Sequence, residues 1–208
     1  YIFQRKLMYL PGRDIAAPAQ YGLEGFQEIF ATTADHVAVQ LWHRPAAASF
    51  PTITYFHGNA GHLGDRAVIY SALAEKGFGV LALSYRGYGK SQGSPSEQGL
   101  YADARAAIAY LTQAQKIPLK HIMLYGESLG TGIATQTALA HPDLGGLVLK
   151  SAFTSFVDMA QRLYPFLPAT LLVVDRYETL SKISNVKIPL LMIHGTRDSV
   201  VPFAMGQK

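Results

Sequence analysis

The chain has 208 residues, 49% of them hydrophobic and 15% charged, which suits one globular domain spanning 1–208 with a single sizeable core. A formal charge of +4 arises from 18 basic against 14 acidic residues spread along the chain, so no like-charged run tracks phosphates and no nucleic-acid partner is expected. Zero cysteines exclude a disulfide framework, a thiol nucleophile and thiolate metal sites, and no apolar run reaches membrane-spanning length.

The opening Tyr1-Ile2-Phe3-Gln4-Arg5-Lys6-Leu7-Met8-Tyr9 mixes aromatic and apolar residues with two cations. Two readings fit it equally: the membrane-proximal end of an anchor, or a strand laid on a sheet edge. Thr52 to Phe56 is a β-branched and aromatic run closed by His57-Gly58, a strand signal. Asp65 to Lys76 predicts a helix stopped at Gly77, with Val68, Ile69, Ala72 and Leu73 on one face. Phe78 to Leu83 is almost wholly apolar, as a strand covered on both faces should be. Ser94-Pro95-Ser96-Glu97 predicts a capping box with Ser94 as cap, Pro95 at the first helical position and Glu97 at the third. Its helix is expected to reach about Thr112 and to bury Leu100, Ala104, Ala107, Ile108 and Leu111.

His121 to Tyr125 reads as a strand, Leu129 to Ala140 as a helix stopped before His141-Pro142, and Leu147 to Leu149 as another strand. Residues 154–185, broken by Pro165 and Pro168, predict a small cap between two sheet elements. Ile188 to Ile193 is the last clear strand, and Pro202 opens a further helix just before the sequence ends. Strands alternating with helices argue for a mostly parallel α/β sheet with helices on both faces.

Gly126-Glu127-Ser128-Leu129-Gly130 fits G-x-S-x-G between an apolar strand and a small-residue helix. That context places Ser128 on a sharp strand-to-helix turn, where flanking glycines avoid clashes and the hydroxyl stands above the sheet edge as a nucleophile. The backbone amide of Leu129, at the helix start, is a candidate oxyanion donor. His57-Gly58-Asn59-Ala60-Gly61 supplies a glycine-rich loop after an earlier strand, with the Asn59 amide as the second donor. Asp198, in His194-Gly195-Thr196-Arg197-Asp198, follows the last strand where a triad acid belongs in the order serine, acid, histidine. His57 and His194 are read as residues that hold their loops.

These motifs, with Phe3-Gln4-Arg5-Lys6-Leu7 and Tyr85-Arg86-Gly87-Tyr88-Gly89-Lys90-Ser91, resemble the α/β-hydrolase superfamily and within it the BEM46-type membrane-associated serine hydrolases. The resemblance implies an α/β-hydrolase fold and hydrolysis of carboxylic esters or thioesters of acyl chains, on a small-molecule or lipid-like substrate, with no metal or organic cofactor. It also implies membrane association through an N-terminal segment, a cytoplasmic or periplasmic location being the alternative. Ser128 and Asp198 are then catalytic, and the Asn59 and Leu129 amides form the oxyanion hole. The family's histidine follows the acid on a loop after one more strand. The seven histidines here are His36, His43, His57, His62, His121, His141 and His194, and none follows Asp198. His62, in the oxyanion loop, is the one other candidate near Ser128. The expectation is therefore that the C-terminal strand and helix are missing and that the chain as given is inactive, because a serine without a base is a weak nucleophile. Alternatives are a non-catalytic hydrolase-like binding module, and a peptidase or acyltransferase on the same scaffold. The apolar residues around 154–173 are candidates for an acyl pocket.

Overall fold

The computed structural model describes residues 4–208. Tyr1, Ile2 and Phe3, and with them part of the anchor or edge-strand expectation, lie outside the described residues. In chain order the elements are α1 (Gln4–Met8), β1 (Leu10–Pro11), β2 (Gln27–Thr32), β3 (Ala38–Arg44), β4 (Thr52–Phe56), β5 (Ala60–Gly61), α2 (Ala67–Glu75), β6 (Gly79–Leu83), α3 (Glu97–Ala109), β7 (Ile122–Glu127), α4 (Leu129–Ala140), β8 (Gly146–Lys150), α5 (Phe156–Leu163), α6 (Ala169–Leu172), α7 (Thr179–Ile183), β9 (Leu190–Ile193) and α8 (Phe203–Gly206).

Seven strands form the main sheet in the order β2-β3-β6-β4-β7-β8-β9. The β2–β3 and β3–β6 pairs are antiparallel and the rest are parallel. Side chains alternate across a strand, and the two cores record this directly. Leu81 and Leu83 of β6, with Phe56 of β4, enter the core that holds Leu100, Ala104 and Ile108 of α3 and Ile133 and Ala134 of α4. Val80 and Ala82 of β6, with Tyr55 of β4 and Trp42 of β3, enter the core on the opposite face, with Ala67 and Tyr70 of α2. Each central strand is thus covered twice, which is why it reads as an unbroken apolar run.

Four expectations are corrected. Residues 63–66 form a 3-10 turn before α2, and α2 buries Ala67, Tyr70 and Ala74; of the expected face Ile69 and Leu73 pack against this core, while Val68 is 84% exposed. The face is set by Tyr70, whose ring meets that of Tyr55 edge-on in the same core. The cap of α3 is Ser96, whose hydroxyl accepts from the Gly99 amide, and Glu97 opens the helix. Glu97 is free of the capping-box role because its carboxylate accepts from the Tyr101 hydroxyl and the Arg176 amide. The main sheet begins with a β2–β3 hairpin within residues 27–44, a stretch to which no strand was assigned. Finally, within the opening segment Gln4–Met8 form the helix α1, and β1 then pairs with β5 in a separate two-stranded sheet, off the main sheet edge. Residues 154–185 carry the short helices α5, α6 and α7 over the carboxyl edge of the sheet. No helix among the described residues is long and apolar enough to cross a membrane.

Candidate active site

Strand β7 ends at Glu127 and α4 begins at Leu129, which leaves Ser128 alone to turn the chain. Its φ of 49° and ψ of −114° place a non-glycine residue where L side chains are strained. The strain is held by three hydrogen bonds to two neighbours. The Ser128 amide donates to the Lys150 carbonyl of β8 at 2.9 Å, and the Ser128 carbonyl accepts the Thr131 amide at 2.8 Å and the Thr131 hydroxyl at 2.6 Å. The two glycines of the motif have steric reasons. A β-carbon at Gly130 would overlap the Phe56 carbonyl of β4, and one at Gly126 would meet the Gly130 carbonyl. Helix α4 therefore packs directly on the β4 backbone, with the free amides of its first turn beside Ser128. Leu129 carries the first of these amides.

The loop 57–61 faces Ser128 from the end of β4: a β-carbon at Gly58 would lie 3.6 Å from Ser128 Cβ. Every side of this loop is tied. The Asn59 side chain donates through Nδ2 to the Met8 carbonyl at 2.6 Å and accepts through Oδ1 from the Tyr88 hydroxyl at 2.9 Å. The Tyr85 hydroxyl donates to the His57 carbonyl at 2.8 Å. Both tyrosines of Tyr85-Arg86-Gly87-Tyr88 thus hold the loop that carries the Asn59 amide. His57 is fully buried between their rings, its Nδ1 donating to the Gly58 carbonyl at 2.6 Å. Burial lowers its pKa to about 4, so the imidazole is neutral and structural at pH 7. His62 caps the 63–66 turn and lies 3.6 Å from Asp65, turned toward the Tyr21 ring.

Asp198 sits after β9, in a loop joined to the Ser128 turn through β8. The Ser151 amide, at the end of β8, donates to the Ile193 carbonyl at 2.9 Å, as the Ser128 amide does to Lys150. Burial alone would raise the Asp198 carboxyl. Hydrogen bonds from the Ser151 hydroxyl and from the Val201 and Val200 amides outweigh it and hold the pKa below the usual range. Asp198 is therefore a firmly ionised, oriented carboxylate. His194 approaches it at 3.7 Å, yet its Nε2 proton goes to the Val201 carbonyl at 2.8 Å, which makes His194 a loop-holding residue.

Ser128, Leu129 and Asn59 line one cavity of about 620 Å³ with Phe153, Phe156, Met159, Leu163 and Leu167 of the 153–172 region, and with Val200 and Val201 from the Asp198 loop. None of the lining residues is charged. The structure thus brings together Ser128, Leu129, Asn59 and the valines anchored by Asp198, and among the described residues no histidine hydrogen-bonds Ser128. Four residues around this region were not singled out from the sequence. Arg66, Glu127 and Ser151 act through distant partners, although Ser151, like Ser128, has a positive φ of 54°. Asp175, buried, takes the Arg5 guanidinium at 2.8 Å and 3.0 Å and the Tyr9 hydroxyl at 3.0 Å, fastening α1 to the α5–α7 region.

A family model described as serine aminopeptidase, S33, matches residues 48–177. The chain is 32% identical to the protein bem46 of Schizosaccharomyces pombe over 97% of its own length and 72% of the relative's. It is 30% identical to the lysophosphatidylserine lipase ABHD12 of Danio rerio over 94% of its length and 60% of that protein's. Among solved structures, a Pyrococcus furiosus esterase, Pf2001, superposes with a TM-score of 0.74 at 22% identity, over 95% of this chain and 82% of that one, a likeness of fold. The elbow at Ser128, the parallel sheet that raises it and these matches lead to one assignment: the chain belongs to the α/β-hydrolase superfamily, within the serine aminopeptidase S33 family and alongside bem46.

Proposed function

We propose that this hydrolase cleaves carboxylic ester or thioester bonds of acyl, lipid-like substrates through an acyl-enzyme on Ser128. The observation that carries the reading is a strained serine opening onto an uncharged, mostly apolar cavity of about 620 Å³, a size within the roughly 300–1,000 Å³ of small-molecule sites. The acyl chain lies among Phe153, Phe156, Met159 and Leu163. Ser128 Oγ adds to the carbonyl carbon as its proton passes to a base, and the oxyanion receives the Asn59 and Leu129 amides. Collapse expels the alcohol or thiol, which takes that proton, and water then releases the acid by the same route. Asp198 orients the base and stabilises it when protonated. In this reading the base is the histidine that the family pattern places after the acid.

An aminopeptidase reading is less favoured. A free α-amino group needs an anionic partner, and the lining supplies none. Membrane association is part of the proposal. Leu7 is 82% exposed, and Leu163 and Val200 are also exposed, where they line the cavity. Apolar side chains grouped at an entrance suit contact with a lipid surface.

The test uses the full-length protein with aryl esters and thioesters of graded acyl length, a lysophospholipid and an aminoacyl amide. Acyl ester turnover that rises with chain length and disappears in Ser128→Ala is expected. Turnover of the aminoacyl amide alone would replace the reading with the peptidase one.

A further inference from the structure

Glu127, the residue between Gly126 and Ser128, carries a side chain that the acyl-transfer chemistry does not use. Its Oε2 accepts the Tyr55 hydroxyl at 2.8 Å and meets Arg66 Nε at 3.4 Å, while Oε1 lies 3.6 Å from Lys150 Nζ. Burial raises this carboxyl's pKa, but the Tyr55 bond and the two cations reverse the effect, so Glu127 is ionised. Arg66 is largely buried and spans the other way. Its Nη1 donates to the Ala60 carbonyl at 2.9 Å and lies 3.6 Å from Asp65, and its Nη2 packs against Gly58. A β-carbon at Gly58 would stand 3.2 Å from Nη2 on one side and 3.6 Å from Ser128 Cβ on the other. The 58–60 backbone is thus clamped between the nucleophile and a guanidinium that the nucleophile's own neighbour holds.

We propose that Arg66 and Glu127 form a positioning pair that fixes the distance between Ser128 and the oxyanion amide of Asn59. The proposal rests on the acyl-transfer reading of Ser128. Neither residue touches substrate, since neither lines the cavity. Their action is geometric: the oxyanion forms only when Ser128 Oγ has bonded to the carbonyl carbon, so a displaced Asn59 amide weakens the transition state and leaves substrate binding alone. Misplacement on the order of 1 Å at a reacting centre costs about a hundredfold in rate.

The experiment compares Arg66→Met, Arg66→Lys, Glu127→Gln and the Arg66→Met/Glu127→Gln double variant in the full-length enzyme. Readouts are kcat and KM on a soluble short-chain ester, the rate of Ser128 labelling by a fluorophosphonate, and the thermal midpoint. Arg66→Met should lower kcat about 10- to 100-fold with KM within about twofold. Glu127→Gln should lower it less, Arg66→Lys should recover part of the loss, and the double variant should be no worse than Arg66→Met. Wild-type kcat in Arg66→Met, a change confined to KM, or losses that multiply in the double variant would overturn the pair. Should Arg66→Met fail to fold, the near-isosteric Glu127→Gln decides alone: unchanged kcat rejects the proposal. A wild-type enzyme that neither turns over esters nor labels rejects the Ser128 reading instead, so the two failures are distinguishable.

Discussion

Ser128 holds its strained backbone because neighbours on β8 and α4 over-determine it, and the glycines beside it are required by contact with main chain. Gly130 is the stricter of the two, because its partner is the Phe56 carbonyl inside the sheet, which has no room to move. Gly130→Ala is expected to lower unfolding free energy by about 1–3 kcal/mol in urea titration, and a wild-type midpoint would contradict the close approach. That Ser128, Leu129, Asn59 and Asp198 each stand just past a strand end was legible because each sits in a short motif there. Arg66, Glu127, Ser151 and Asp175 were not. Their roles depend on partners far away in sequence, such as Arg5 for Asp175, and no local spacing encodes such pairs.

Helix α3 shows where local signals compete. Ser94 and Ser96 both offer cap chemistry, and the structure selects Ser96, with Gly99 accommodating the close approach of Arg86. Ser96→Ala should therefore cost about 1 kcal/mol, whereas Ser94→Ala should stay within about 0.5 kcal/mol by thermal denaturation. Equal losses would restore the capping box at Ser94. The central strands were legible because burial on both faces leaves contiguous apolar runs. The β2–β3 hairpin was not, because Gln40 and His43 interrupt β3. Both are buried there: the Gln40 side chain accepts the Lys90 amide, and His43 shares a hydrogen bond with the Tyr110 hydroxyl. At the cavity mouth, α1 is fastened to residues 172–177 through Arg5, Tyr9 and a Gln4 side chain bonded to the Leu172 carbonyl and the Val174 amide. Asp175→Asn should speed amide hydrogen exchange at residues 4–9 and 172–177 together. Exchange that changes in one segment only would show that the two are not coupled.

Across the whole molecule, burial of ionisable groups sets the response to acid. His57 and His43 are held at about 4, against an ordinary value of 6.5. An unfolded chain takes these protons near pH 6.5 and the native chain only near pH 4, so their contribution is complete above 6.5 and is lost as pH falls toward 4. Asp103 acts in the opposite sense. Burial raises its carboxyl to about 6 despite the bonds from Arg86, so the native state takes this proton first and gains stability below that pH. With His43, His57 and His141 all lowered by burial against the one raised carboxyl, stability falls between about pH 7.5 and 5. Urea midpoints at those two pH values check this, and a midpoint at pH 5 as high as at pH 7.5 would contradict it. The sheet raises Ser128 to its carboxyl edge, the cavity opens beside it, and the claim that joins them is nucleophilic chemistry at that one hydroxyl. The direct measurement is treatment of the full-length protein with a fluorophosphonate, followed by peptide mapping. Adduct on Ser128, absent from Ser128→Ala, is predicted; a folded, unmodified Ser128 would contradict the account.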